Sequence, residues 1–369
     1  MEIEIELSDL LVKNFSKYAN HIVYERAIPL LNDGLKPVQR RVLLSMNNLG
    51  LNNNKPFKKA AKVIGDTVGQ YHPHSLDGPY GALVNMTATF SARYPLGEGN
   101  GNYGSIEGDS CAAMRYVESK LSKTGDLLLG DTNEATVPWM PTYDNEGLEP
   151  KYLGGFFPNI LCNYTNGIAA GVSSMIPSHN ATEVITALIK TIDQVNKGKD
   201  INTKFLMKYI KGPDFPTEGI IMNPDDIESV YNNGKGKFII RGQYTIKNKK
   251  ELVFTTIPYT TNVGVIMTGL KKLKEAKLCG EFKNYSAKGT LNISIKPARG
   301  QSVDDLIKQV FKKTKLEDNF NSIFTIIYNN KVIEHMPLVS IIKKLLIHYH
   351  NIVKNKLTLE LNKNNKLLF

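Results

Sequence analysis

Four short segments of this 369-residue chain carry residue types that could do chemistry. Arg115-Tyr116 sets a guanidinium beside a phenol, which with an ordinary pKa near 10 needs such positive charge to react as a phenolate at neutral pH. Taken alone, an Arg-Tyr pair is usually structural. Gly99, Gly101 and Gly104 fit the spacing of a dinucleotide-binding turn, but that turn needs a strand before it and a helix after it, and here Ser-Ile-Glu-Gly follows. A glycine loop permitting close backbone approach fits better. His72-Pro-His74 has two possible zinc ligands; the similar pair His348 and His350 lies on a helical stretch where residues two apart do not share a face, so a turn with hydrogen-bonded rings is favoured. Glu218, Asp225 and Asp226 do not complete an acid spacing that could hold magnesium.

These segments must be positioned by the elements around them. Apolar periodicity predicts helices over 10–31, 38–49 and 58–70, broken at Asp33-Gly34 and Asn52–Asn54, as in a helix-turn-helix unit. From Leu35 to Gly65 the chain holds seven cations (Lys36, Arg40, Arg41, Lys55, Lys58, Lys59 and Lys62) and no carboxylate, a phosphate-binding surface in waiting. Five glycines between Pro95 and Gly108 read as loop leading to Tyr116. Short β-rich runs between about Phe215 and Tyr328 read as a separate α+β domain, and the residues from His335 onward read as one long amphipathic helix.

Composition narrows the class. No apolar run approaches the roughly 18 residues of a membrane span, and the acidic start MEIEIELSDL is unlike a signal peptide, which places the chain in a cytoplasm and off the membrane. Cys111, Cys162 and Cys279 lack paired spacing, so buried, inert thiols are expected. The formal net charge of +11 points to a polyanion or to lysine-rich codon usage, and composition does not choose between them.

Read together, DGLKPVQRRVL, KKAAKVIGDTVGQYHPH, FSARYPL, GNYGSIEGDSCAAMRYVESKL, NGIAAGV, IPSHNATEVI and GPDFPTEGII resemble the breakage-reunion subunits of type IIA DNA topoisomerases, the gyrase A and topoisomerase IV A family, in order and spacing. The resemblance runs from about residue 8 to the C-terminus. It is nearest to the T-even phage type, in which cleavage, metal-binding and ATPase parts are separate subunits; the start at Met1 with no such part ahead agrees, and host cytoplasm is then the location.

The resemblance implies an α+β multidomain fold. It comprises an N-terminal helical arm (1–30), a winged-helix DNA-cleavage domain (31–157), an α/β tower (158–333) and the first part of a coiled-coil helix (334–369) whose continuation to a second dimer contact is missing. It implies that Tyr116, assisted by Arg115, forms a transient 5′-phosphotyrosine, and that Arg26 and His74 contact the scissile phosphate. Lys36, Arg40 and Arg41 match the segment that grips the DNA backbone, with Lys58, Lys59 and His72 added to that surface; Gln39 stands where the family has histidine. Ile168 matches the isoleucine that wedges between base pairs. Asp77 and Gly81 replace the serine and acid that contact quinolones. One tyrosine per chain implies a homodimer on double-stranded DNA, with magnesium and ATP held by separate metal-binding and ATPase subunits. The rival readings are a helix-turn-helix protein that only binds or bends DNA, and a nucleotide-dependent dehydrogenase resting on the glycine spacing.

If the basic run meets phosphates, each contact releases counterions, and DNA affinity measured by anisotropy falls steeply between low and physiological salt. A flat salt dependence contradicts that surface.

Overall fold

In the computed structural model, which describes residues 7–287 and 289–367, the apolar periodicity after residue 10 yields α1 (Leu7–Ile22) and then one π-helical turn over Val23–Ala27. The turn closes with Ile28 N–H donating to the Val23 carbonyl at 3.2 Å. Ile28 is extended because Pro29 bars the helical region to the residue before it. The helix expected to reach Leu31 therefore stops short, and Arg26 sits exposed on the turn. Residues 1–6 of the expected arm and 368–369 of the expected final helix lie outside the described residues.

Next, α2 (Pro37–Asn48) opens on a proline, whose missing N–H is no loss in a first turn. Gln39 Oε1 accepts the Lys36 N–H at 3.0 Å, so the glutamine that replaces the family's histidine works as a helix cap. The short strand β1 (Lys58–Lys59) precedes α3 (Ala60–Gln70) and α4 (Asp77–Thr87). β2 (Gly97–Asn100) and β3 (Glu118–Leu121) complete an antiparallel sheet in the order β1-β3-β2. The helix expected from Lys58 begins two residues later because Lys58 and Lys59 pair with Ser119 and Glu118. The three helices pack through Val42, Leu43, Met46, Val63, Ile64, Leu83 and Met86, each buried side chain contributing roughly 1.5–3 kcal/mol relative to exposure.

Beyond them come α5 (Lys123–Leu129), the hairpin β4 (Trp139–Pro141) and β5 (Leu148–Pro150), α6 (Asn159–Cys162), the hairpin β6 (Thr165–Ile168) and β7 (Ser173–Ile176), α7 (Ala181–Asn196) and α8 (Thr203–Leu206). β8 (Ile220–Ile221), α9 (Ile227–Asn233) and β9 (Lys235–Arg241) follow, then β10 (Tyr244–Lys247), β11 (Glu251–Phe254), α10 (Val263–Glu275), β12 (Phe282–Asn284), β13 (Ile293–Ile295) and α11 (Val303–Lys313). The chain ends with β14 (Glu317–Ile323), β15 (Ile326–Tyr328), β16 (Lys331–Ile333) and α12 (Leu338–Leu367). One antiparallel sheet has the order β6-β7-β14-β9-β8 and another β10-β11-β13-β12, so the mixed α and antiparallel β content expected from the sequence is present. The separate apolar centre is narrower than the β-rich composition implied. It spans Leu252 to Leu316, whereas Phe238, Ile240 and Phe320 of β9 and β14 join the larger cluster that begins at Leu31.

The Asp33-Gly34 turn ties these parts together. Asp33 Oδ1 accepts from Leu35 N–H at 3.0 Å and Oδ2 from Leu153 N–H at 3.0 Å, while Asn159 Nδ2 donates to the Asp33 carbonyl at 3.0 Å. Arg40 closes the set, its Nε 2.6 Å from Oδ2 and its Nη2 3.0 Å from Oδ1. At 6% exposure, Arg40 does not face solvent, so its expected grip on the DNA backbone is corrected: its guanidinium is spent on Asp33 and the Leu35 carbonyl. Gly34 has φ +67°, and a Cβ there would lie 2.3 Å from the Ile160 nitrogen, so no other residue fits.

Two outcomes follow. Arg40→Ala strands a buried carboxylate and costs about 3–5 kcal/mol in urea unfolding, whereas exposed Lys62→Ala changes stability by less than about 0.5 kcal/mol; equal stability of the two variants refutes the buried pair. Burial also holds His179 and His348 at about 4 against an ordinary 6.5. Between those values the unfolded chain binds more protons, so the thermal midpoint falls as pH drops from 6.5 towards 4, and a flat profile contradicts it.

Candidate functional site

Tyr116 lies in a turn just ahead of β3, and its neighbours fix that turn. Val117 is buried, and the Val117 and Met114 carbonyls accept from the first N–H groups of α3, at Ala60 (3.0 Å) and Ala61 (3.2 Å). Two donors that a helix start leaves without intrahelical partners are thus used to brace the tyrosine. The phenol itself is 64% exposed, and the Arg115 guanidinium lies over its ring, 4.8 Å from the centroid. Lys58 and Lys59 lie on the adjacent strand, and Lys62 is exposed near the start of α3. Lys59 pairs with Glu118 at 3.2 Å, and bonds from Asn100 and Lys59 hold the Glu118 carboxyl below its usual range. Phenol, guanidinium and lysines form one cationic, solvent-facing surface.

The glycine-rich loop leading to Tyr116 is no nucleotide turn. Gly97 to Asn100 form β2, antiparallel to β3, and the loop after it does not open a helix. Gly99 is required because a Cβ would lie 2.4 Å from the Tyr103 ring. Farther on, Val263 N–H and Gly264 N–H at the start of α10 donate to the Ile106 and Glu107 carbonyls, both at 3.1 Å. The dehydrogenase reading falls with this geometry.

At the other end of α3 a second cluster gathers. His72 and His74 stack with centroids 4.6 Å apart, and Arg41 Nη1 lies 3.1 Å from His72 Nδ1. Arg41 is held in turn by Glu149 of β5, through Nε to Oε2 at 2.8 Å and Nη2 to Oε1 at 2.7 Å. Burial first, then the charges of Arg41, His74 and Arg26, bring His72 down to about 4, so it is neutral at pH 7. Arg26, exposed on the π turn, acts on His72 through its charge. Glu149 is a residue the sequence reading missed; it lies 108 positions from Arg41 in an unremarkable hairpin, and no spacing signal marks it.

A third group stands at the start of α2. Lys36 Nζ donates to the Asn166 carbonyl, and burial lowers its pKa. This pins the hairpin whose strand β6 ends at Ile168, 77% exposed. Gly167 lets β6 lie against the Arg26 turn: a Cβ there would sit 1.9 Å from the Ala27 carbonyl oxygen. Lys36 is therefore only half exposed, and its expected DNA contact competes with this tie.

The structure thus brings Arg41, His72 and His74 into contact, with the Arg26 charge acting on His72, and Arg115, Tyr116, Lys58 and Lys59 together, but not the two groups. They lie at opposite ends of α3, whose 11 residues span roughly 16 Å.

Among the described residues no group of three or more His, Cys, Asp or Glu side chains could hold a metal. Beside Tyr116, Glu118 is engaged by Lys59 and Asn100. Cys162 and Cys279 are buried as expected, but Cys111 is only half-buried. No helix among the described residues is long and apolar enough to cross a membrane.

Residues 26–368 match the sequence pattern of the family described as the A subunit of DNA gyrase/topoisomerase IV. The chain is 38% identical to the A subunit of DNA topoisomerase 4 from Staphylococcus epidermidis, over 98% of its own length and 46% of the relative's. It is 36% identical to the DNA gyrase A subunit of Clostridium acetobutylicum, over 94% of its length and 42% of that protein, and 38% identical to the DNA gyrase A subunit of Buchnera aphidicola, over 98% and 44%. The chain spans somewhat less than half the length of these relatives. A family match over nearly its whole length, together with relatives 36–38% identical across almost all of it, shows that the chain belongs to the family of DNA gyrase and topoisomerase IV A subunits.

Proposed function

We propose that this chain is the DNA-cleaving subunit of a type IIA topoisomerase and that Tyr116 is its nucleophile. The observation that carries the reading is the exposed phenol under the Arg115 guanidinium, braced at the head of α3 on a lysine-rich surface. Tyr116 Oη bonds to phosphorus as the 3′-oxygen departs, leaving a 5′-phosphotyrosine; the proton lost by the phenol is balanced by the one the 3′-oxygen gains. Resealing is the reverse. Arg115 offers fixed charge to the phenolate and to the crowded phosphate. Because the bond energy is retained, cleavage needs no external energy, and ATP serves strand passage.

Arg26 and His74 contact the scissile phosphate on this reading, with His72 and Arg41 beside them. Since Tyr116 is roughly 16 Å of helix away from that cluster, a homodimer in which one copy's tyrosine meets the other's Arg26 and His74 completes each site. Lys58, Lys59 and, in part, Lys36 take the DNA backbone. Ile168 wedges between base pairs on this reading, which its exposure at the end of β6 supports, since an apolar side chain can unstack a step and bend the duplex. The helix-turn-helix bundle with the β1-β3-β2 sheet reads as a winged helix, residues 158–333 as the tower and α12 as the start of a coiled coil. Separate subunits supply magnesium and ATP, as in the T-even division of labour, in a cytoplasm. Relaxation and decatenation are the activities assigned.

Mixed with such partners, magnesium and DNA and then denatured, the wild-type chain is expected to carry DNA covalently on Tyr116, and Tyr116→Phe to carry none while still binding DNA. Relaxation by Tyr116→Phe at the wild-type rate sinks the proposal and leaves a protein that only binds or bends DNA.

A further inference from the structure

We infer that Glu149 is a positioning residue of this site: through Arg41 it holds His72 as the imidazole that keeps its proton on Nε2. The inference rests on reading Arg26, Arg41, His72 and His74 as the phosphate-facing half of a DNA-cleaving site.

Glu149 is nearly enclosed, with 4% of its side chain exposed, and grips the Arg41 guanidinium at two points, Nε at 2.8 Å and Nη2 at 2.7 Å. Such a two-point bond fixes the plane of the guanidinium as well as its place. One nitrogen, Nη1, is left over, and it lies 3.1 Å from His72 Nδ1. A guanidinium has donors and no acceptor, so Nδ1 must accept; in a neutral imidazole the proton then sits on Nε2. The ring meets Arg41 from α2 and His74, stacked at 4.6 Å, and feels the charge of Arg26 on the π turn; Glu149 reaches it only through Arg41. Burial first, then the Arg41 and Arg26 guanidinium charges, keep the ring neutral at pH 7. His72 thus offers a phosphate oxygen an N–H without adding charge, while Arg26 supplies the charge. Glu149 is what makes that tautomer the single one available. Lysine at position 41 has no fork with which to serve Glu149 and His72 together.

The test reads the tautomer directly. Imidazole ¹⁵N spectra of the full chain are recorded for wild type, E149Q and R41K, with His72→Gln identifying the signal. The wild type is expected to show Nε2 protonated and Nδ1 bare at neutral pH. Both variants should show mixed tautomers, because Arg41 Nη1 is no longer held against Nδ1. With partner subunits, magnesium and DNA, covalent adduct falls about tenfold in both, while the DNA affinity of E149Q, whose enclosed carboxylate meets Arg41 and not DNA, stays within about threefold of wild type. If E149Q fails to fold, R41K carries the same comparison. Unchanged His72 tautomer in the folded variants, or full adduct yield despite mixed tautomers, overturns the inference. Absence of adduct from the wild type overturns the function instead, and the spectra still decide what Glu149 does.

Discussion

The buried pair between Asp33 and Arg40 is the constraint on which the site depends. One carboxylate fixes the turn before α2, takes the Leu153 N–H from the far side of the β4-β5 hairpin, and neutralises a guanidinium with almost no solvent. Removing either partner leaves an unpaired charge in a low-dielectric interior, which is why neither can be spared. The pair also sets directions. With Arg40 turned inward, Arg41 stands about 100° further round the helix, towards the hairpin that the Leu153 tie has just positioned. Glu149 is on that hairpin, and the Arg41-His72 contact follows from it.

The same pair shows what a sequence conceals. Lys36, Arg40 and Arg41 look alike as three cations in one short motif, yet they meet three fates: a tie to a neighbouring hairpin, a buried ion pair and a clamp on a histidine. Charge and spacing reveal that cations are present; which of them remain free depends on acids that are remote in the chain, as Glu149 is, or close but turned inward, as Asp33 is. Helix periodicity located α2 and the body of α3 well, since a packed apolar stripe is a local signal. It missed the strand at Lys58 and Lys59 because strand pairing is decided by a partner some 60 residues on. The π turn was also invisible, although Pro29 marks where the helix had to end. The role proposed for Tyr116 rests on its long motif context, since no local signal distinguishes it from the other tyrosines.

The loop that carries Tyr116 is held at both ends by helix starts: α10 takes the Ile106 and Glu107 carbonyls, and α3 is braced by those of Met114 and Val117. Since Ile106 also packs against the separate apolar centre around α10 and α11, that centre and the three-helix bundle share the task of placing one exposed phenol. Such a side chain gains almost nothing from its own burial, so its position comes from backbone hydrogen bonds on either side.

The length of α3 has a further consequence. A helix of 11 residues keeps the phenol of any one chain from the arginine and histidine of that same chain. On the proposed reading, an isolated molecule is therefore inert towards the duplex it sits on, and competence for breakage rises with the square of concentration at high dilution. A stray copy on a chromosome is harmless by geometry alone, and both strands become vulnerable only when two copies have closed around them and can also hold the ends.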